Sequence, residues 1–255
     1  MSERFLGIEN VHEFYTEHYL SAILQSDIKP VIQSWREAHA AAKQEAEGTD
    51  SGAASQSSQG TPFARLGRHH LPFFRYRERL ERARSTEVRA RLHAEAWAEI
   101  LDILSYPVAP DLRQLPSGII PLLAQVTRAD GSALVWALPV PSGVTALDGA
   151  EDMLEYTLAD SSIAGSDLFP ATDEERVWAT GTVEAVVTEI FAQDEPPRFV
   201  LVLGDEDVVL ADRGKWAEQR LLRFSLGEIL GRRDPDTLQA TAALLHRESL
   251  APGEG

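Results

Sequence analysis

The first forty residues carry a helical pattern of apolar and polar positions. Between Ile8 and Ile23, apolar side chains recur every three or four positions, the spacing of one helix face. The pattern predicts helix over residues 8 to 39. Pro30 predicts a break, with a second helix starting there, because proline suits a first helical turn.

Residues 45 to 61 have no such pattern. Their sequence, EAEGTDSGAASQSSQGT, contains no large apolar side chain. It cannot bury enough surface to offset the entropy lost on ordering, so this segment is predicted to be a flexible linker.

Two pairs of apolar runs depart from the helical spacing of apolar residues and predict β-hairpins. IIPLLAQVTR and SALVWALPV, within residues 118 to 140, are joined by Ala129-Asp130-Gly131. Asp-Gly between two apolar runs is a strong hairpin signal. RFVLVL and DVVLAD flank Gly204-Asp205-Glu206 in the same way.

Helical patterns account for much of the remaining chain. Ser85 or Thr86 is suited to cap a helix that runs to Leu104, and Pro107 and Pro110 end it. Further helices are predicted at Glu174 to Phe191, Trp216 to Arg220, Leu226 to Leu230 and Pro235 to Arg247.

This order of elements predicts an α/β fold, with a mixed sheet flanked by helices and an N-terminal helical arm. The predicted division is an arm over 1–44, the linker over 45–61, an α/β domain over 62–250 and a disordered tail over 251–255.

Composition narrows the function. The chain has no cysteine, which excludes disulfides, thiolate metal sites and cysteine nucleophiles. No apolar run approaches the roughly 20 residues of a membrane helix, so a cytoplasmic protein without a membrane partner is expected. A net charge of −16 should repel nucleic acid from the molecule as a whole.

Positive charge is nevertheless concentrated locally. Between Phe63 and Arg91 there are nine arginines and three glutamates, interleaved with aromatic side chains. Such a segment is suited to phosphate contacts and base stacking. The alternative is a solvated helix face whose arginines pair with acidic residues elsewhere. The candidate nucleic-acid ligands are Arg65, Arg68, Arg75 and Arg77.

Metal and catalytic motifs are weak. His12 and His18 are six residues apart, which places their rings on different helix faces. Asp212 and Lys215 at a strand end could position a divalent metal and water, but a simple turn is the alternative. The motifs GxGxxG, GxxxxGK[ST] and GxSxG are absent. No cofactor is therefore expected.

Three stretches carry a family resemblance: IENVHEFYTEHYLSAIL, EIFAQDEPPRFVLVLGDEDVVLADRGKWAEQRLLRFSLGEIL and GRRDPDTLQATAALLHRESLAP. Together they resemble the N-terminal region of large type IIG-like adenine-specific DNA methyltransferases of restriction–modification and phage-defence systems. The resemblance implies a PD-(D/E)xK nuclease-like domain before a methyltransferase domain. It also implies that this chain is a truncated or split product, or that a partner chain supplies the catalytic half.

The nuclease motif itself is degenerate at the matching positions. An acid, a spacer and a lysine would fall at Ala137, Leu138 and Pro139, and neither the acid nor the lysine is present. Asp111 follows a proline but is predicted to lie in a loop. Without paired carboxylates, Mg²⁺ is not held and phosphodiester hydrolysis is not activated.

Three hypotheses follow. The first is a non-catalytic module that docks on DNA, on a methyltransferase or other defence-system subunit, or on both. The second is a Mg²⁺-dependent endonuclease that uses Asp111, Asp212 and Lys215. The third is an interaction module without DNA affinity, in which the acidic region from Asp148 to Glu175 binds a basic protein.

Overall fold

The computed structural model describes residues 5–48, 60–143, 152–159, 161, 163, 169 and 177–253. Within them, the strands form one seven-stranded mixed sheet in the order β1-β7-β6-β5-β4-β3-β2. Neighbouring strands are antiparallel except for β4 and β5, which are parallel. The strands β1 to β7 are Ile8–Val11, Val108–Leu115, Gly118–Thr127, Ala133–Pro139, Phe199–Leu203, Asp207–Asp212 and Leu221–Ser225.

Helices cover both faces of this sheet, as the sequence predicts. A short π-helix, Tyr19–Ile23, leads into the first α-helix, and a 3-10 helix spans Met153–Glu155. The α-helices α1 to α9 are Leu24–Gly48, Pro62–Arg68, His70–Arg82, Thr86–Ile103, Val183–Phe191, Arg213–Trp216, Leu226–Arg232, Pro235–Leu245 and Arg247–Leu250. None of the described helices is long and apolar enough to cross a membrane.

Two apolar cores lie on opposite faces of the sheet because side chains alternate along each strand. On β5, Leu201 and Leu203 join a large core with α3 and α4. Val200 and Val202 point the other way, into a smaller core under α5. The central strands are buried on both faces, which explains their nearly continuous apolar sequence.

Both predicted hairpins are confirmed. In the turn between β3 and β4, Gly131 has φ +86° and the carboxylate of Asp130 accepts from the Ser132 amide at 2.9 Å. In the second hairpin, the residue pairs run from Phe199 with Asp212 to Leu203 with Val208.

The prediction of helix from residue 8 is wrong at its beginning. Ile8–Val11 is an edge strand that pairs with β7, and a turn through His12 and Glu13 (φ 48° and 58°) separates it from the helix. The predicted break at Pro30 is also wrong, because α1 continues through it. The predicted arm over 1–44 therefore contributes strand β1 to the sheet, and its helix α1 packs against α8.

Other predicted boundaries change as well. Asp111 lies in strand β2 and not in a loop, and β7 was not predicted. Val177 is exposed and precedes a helix that begins only at Val183, since Gly181 adopts φ +95°.

The structure describes only part of the predicted linker and of the predicted tail. Residues 45–48 are helical and Thr61 caps α2, whereas 49–59 lie outside the described residues. In the predicted tail, Ala251 is buried in the large core, and 254–255 lie outside the described residues.

Candidate functional site

Two of the four predicted DNA-binding arginines hold the fold together. The Arg65 side chain is 10% exposed and forms an ion pair with Asp102 of α4. Arg77 forms an ion pair with Glu206, in the turn between β5 and β6, at 2.6 Å and lies over the Phe74 ring. These guanidiniums join helices to one another and to the sheet, so both are engaged within the chain.

Arg89, which the sequence analysis did not single out, is the most extensively bonded arginine of this segment. Its guanidinium donates to the carbonyl oxygens of Leu80 (2.8 Å) and Ser142 (3.1 Å) and pairs with Asp205 at 3.3 Å. The Ser142 hydroxyl also binds Asp205. Arg89 therefore fixes α4 to the end of the sheet where β5 turns into β6.

A buried polar group lies beside this arginine. His93 is fully buried, and its Nε2 lies 3.0 and 3.1 Å from the carbonyl oxygens of Leu203 and Gly204. Because carbonyls only accept, Nε2 carries the proton. Burial lowers the pKa of His93, so the ring is neutral and braces α4 on β5.

The other two predicted arginines, Arg68 and Arg75, are exposed. Arg75 and Arg79 lie one turn apart on α3, and Arg82 lies one turn further on. Within the described part of the chain, the Arg75 and Arg79 side chains form no ion pair or hydrogen bond. Arg82 pairs with Glu78 at 2.6 Å. We call Arg75, Arg79 and Arg82 the α3 arginine face; it extends about 10 Å along the helix axis.

Aromatic side chains do not contribute to this face. Phe73 and Tyr76 are buried in the large core, and Phe63 and Phe74 pack against it. Burial therefore keeps Phe73 and Tyr76 from stacking on bases. Leu71 is the large apolar side chain exposed beside the arginines, at 56%.

Arg68 is exposed at the end of α2. A Cβ at Gly60 would lie 2.7 Å from its Nη2 atom, so the guanidinium rests directly against the Gly60 backbone. A groove of about 540 Å³ begins here and runs between α2 and α4, with Arg68 and His69 on one wall and Glu99 on the other. Burial lowers the pKa of His69, and Glu99 opposes this shift.

The Asp212 and Lys215 pair has a structural role. The Asp212 side chain is 6% exposed, accepts two bonds from Arg198 at 3.1 Å each and caps α6 through the Gly214 amide at 2.8 Å. Lys215 donates to the Phe14 carbonyl, with Nζ 3.9 Å from the Phe14 ring centroid. Burial lowers the pKa of Lys215. Asp212 therefore fixes the chain where β6 ends and α6 begins, and Lys215 holds the turn after β1.

The third catalytic candidate lies far from this pair. Asp111 is on the edge strand β2, and four strand spacings separate β2 from β6. At about 4.8 Å per spacing, the two strands that carry these carboxylates are about 19 Å apart across the sheet. One Mg²⁺ cannot bridge that gap. Asp111 instead accepts from Gln125 at 2.9 Å and pairs with Arg113.

In the part of the chain that the structure describes, no group of three His, Asp or Glu side chains converges to form a metal centre. Ala137 and Leu138, at the degenerate nuclease positions, are buried in the sheet. His12 contacts the Gln219 carbonyl at 3.1 Å.

The acidic region of the third hypothesis lies mostly outside the described residues. Of Asp148 to Glu175, the structure describes 152–159, 161, 163 and 169. Asp152 pairs there with Arg223 of β7, so one of its acids is engaged within the chain.

A second cavity, of about 270 Å³, lies between α1, α2 and the start of α9. Trp35 and His246 meet in its wall with ring centroids 4.7 Å apart, beside Glu248. Sequence reasoning missed these residues because they are separated by some two hundred positions and form no local motif.

No protein-family model matches the chain, and no curated protein or solved structure is similar to it at a significant level.

Proposed function

We propose that the protein is a non-catalytic docking module that binds the phosphate backbone of nucleic acid through the α3 arginine face. In keeping with the family resemblance, its setting is a cytoplasmic restriction–modification or phage-defence system in which a methyltransferase or other defence subunit performs the chemistry.

The observation that carries the proposal is the availability of Arg75 and Arg79. Their neighbours Arg65, Arg77 and Arg89 are paired with acids, whereas these two point to solvent without a partner among the described residues. Adjacent turns of one helix present them to a single strand of phosphates. A local patch of this kind binds phosphate even when the net charge of the chain is negative.

The competing enzymatic function receives less support. A Mg²⁺-dependent endonuclease needs converging carboxylates, and Asp111 and Asp212 lie on strands that are about 19 Å apart across the sheet. Their hydrogen bonds and ion pairs explain both residues without a metal.

The test is a double substitution, Arg75→Ala with Arg79→Ala, in the full chain. Loss of two phosphate contacts should weaken DNA binding at least about tenfold in low salt. It should also reduce the slope of the logarithm of the binding constant against the logarithm of the salt concentration by about two. Fluorescence anisotropy of a labelled duplex and of a labelled single strand, titrated at several salt concentrations, measures both quantities.

A charge-matched control is Arg128→Ala with Arg220→Ala. Both residues lie at the end of the sheet opposite the turn that Arg77 contacts, so binding should persist. Equal weakening by the two double variants would show nonspecific attraction, and wild-type protein that binds neither DNA form would refute the proposal.

A further inference from the structure

Helix α3 presents one large apolar side chain in line with its arginines. Leu71 is 56% exposed. It precedes Arg75 by four residues and Arg79 by eight, so the three side chains form one stripe along the helix. Exposed positions cover about half of the circumference of α3, which makes this stripe accessible to a large ligand. A ligand that reaches the α3 arginine face therefore also meets Leu71.

Leu71 has an arginine on each side of it along the helix axis. Arg68, which is also exposed, ends α2 three residues earlier, and His69 keeps the backbone in the right-handed helical region (φ −72°, ψ −4°). The amides of His69 and Phe73 each bond the carbonyl four residues earlier at 3.0 Å, as in a continuous helix. At 1.5 Å per residue, Arg68 and Arg75 are therefore about 10 Å apart along the axis, with Leu71 between them.

This separation is close to the width of the major groove of duplex DNA. The major groove is about 12 Å wide, whereas the minor groove is about 6 Å wide. Arginines about 10 Å apart along a helix can contact phosphates on both walls of a major groove, and a side chain between them then faces the base edges. An apolar side chain at that position matches the C5-methyl group of thymine, the apolar group of that groove.

Single-stranded nucleic acid receives less support as the ligand. Proteins that bind single strands stack bases on aromatic side chains. Of the phenylalanine and tyrosine rings of α2 and α3, Phe73 and Tyr76 are buried. Phe63 and Phe74 pack against the large core, each with the central carbon of an arginine guanidinium 5.7 Å from its ring centroid. Since all four rings are engaged within the protein, a duplex contacted through its phosphates and groove is favoured.

We propose that the α3 arginine face binds duplex DNA across its major groove, and that Leu71 contacts thymine methyl groups there. The inference rests on the proposed function, because Arg75 and Arg79 supply the phosphate contacts. Phosphate contacts position a protein on any sequence, whereas contacts to base edges distinguish sequences. Leu71 is then the residue that gives this docking module a preference for sites that contain thymine.

The first test replaces thymine by uracil, which removes the methyl group and leaves the phosphates unchanged. Fluorescence anisotropy with labelled A·T-rich duplexes should show that the wild type binds the uracil duplex about threefold to fivefold more weakly, the effect of one buried methyl group. In Leu71→Ala, the thymine and uracil duplexes should bind equally. Val177→Ala, at an apolar residue that is 63% exposed beside β3, is the matched control and should keep the wild-type preference.

Both substituted side chains are exposed, and thermal melts followed by circular dichroism establish that the two variants are folded. Equal binding of the thymine and uracil duplexes by the wild type overturns the inference, and so does a thymine preference that persists in Leu71→Ala. A single strand of the same sequence should bind at least about tenfold more weakly than the duplex, because it offers no groove. A single strand that binds as tightly as the duplex also overturns the inference.

The double variant Arg75→Ala with Arg79→Ala separates this inference from the proposed function. If it weakens duplex binding while the thymine preference does not depend on Leu71, the inference fails and the proposed function stands. If it binds the duplex like the wild type while Leu71→Ala still removes the thymine preference, phosphate docking by the two arginines fails and the Leu71 contact stands.

Discussion

Arginines that are neighbours in sequence have different roles in this structure. Arg77 is held by Glu206 from a distant strand turn, whereas Arg75, two residues earlier, points to solvent. Helical periodicity predicts that Arg75, Arg79 and Arg82 share a face. The partners of Arg65 and Arg77 could not be predicted, because they are brought close only by the packing of α2 on α4 and of α3 on the sheet end.

The same limit applies to the proposed metal site. Asp212 and Lys215 have the spacing of a catalytic pair, and only their partners reveal a structural role. Arg198 covers one side of the Asp212 carboxylate, the Gly214 amide binds it from another, and Lys215 is directed to the turn after β1.

Arg198→Ala tests this structural role. It leaves the Asp212 carboxylate, whose side chain is 6% exposed, without its cation, so the free energy of unfolding should fall by about 1 to 3 kcal/mol. Urea denaturation followed by circular dichroism measures this change. Arg220→Ala, which removes an exposed ion pair with Glu218, should change stability by less than about 0.5 kcal/mol. A similarly small effect at Arg198 would show that Asp212 is not held by this pair.

Among the helices and strands, those that local sequence specifies could be predicted, whereas strands that depend on pairing with distant parts of the chain could not. The turn at Asp130-Gly131 and its apolar flanks specify a hairpin within about twenty residues. Strand β1 has a helix-like pattern, and its strand conformation depends on pairing with β7 more than two hundred residues later. β2 was missed because it is an exposed edge strand containing Pro110, which a sheet tolerates only at such positions.

Helix α1 also contradicts a local rule. Pro30 lies in its interior and removes one backbone hydrogen bond, yet the helix continues to Gly48. Packing offsets that loss: Ile32 and Trp35 of α1 form a buried cluster with Ala242 and Ala243 of α8.

Pro30→Ala is therefore expected to stabilise the protein. The side chain is exposed, so the substitution restores an N–H donor without opening the core, and the free energy of unfolding should rise by about 1 to 3 kcal/mol. Chemical denaturation measures the gain. Gln33→Ala, at an exposed position of the same helix, should stay within about 0.5 kcal/mol of the wild type. Destabilisation by Pro30→Ala would show that the proline ring makes a contact on which α1 depends.

At the scale of the whole molecule, one sheet covered on both faces joins the N-terminal arm and the C-terminal helices into a single structure. Three histidines lie at the junctions: His69 between α2 and α3, His93 under the end of β5, and His246 between α8 and α9. Burial lowers the pKa of all three, so the fold is built around neutral imidazoles.

This arrangement predicts a loss of stability on mild acidification. In the unfolded chain these imidazoles take up protons near their ordinary pKa of about 6.5, whereas in the folded protein their pKa values are lower, about 4 for His246. The unfolded state therefore binds more protons, and the free energy of unfolding falls as the pH drops below about 6.5. Burial raises the pKa of Glu206 and Asp207, which acts in the opposite sense and reduces the net slope.

His246→Asn isolates the contribution of this histidine to the pH dependence of the free energy of unfolding. Urea denaturation between pH 7.5 and 4.5 should show that the wild type loses more stability than the variant, by on the order of 1 to 2 kcal/mol over this range.

Glu248 raises the pKa of His246, and Arg247 and Arg65 lower it. Arg65→Ala should therefore bring that pKa closer to its ordinary value, and nuclear magnetic resonance titration of the His246 ring protons measures the shift directly. A His246 that titrates near 6.5 in the folded wild type would show that its environment does not favour the neutral ring.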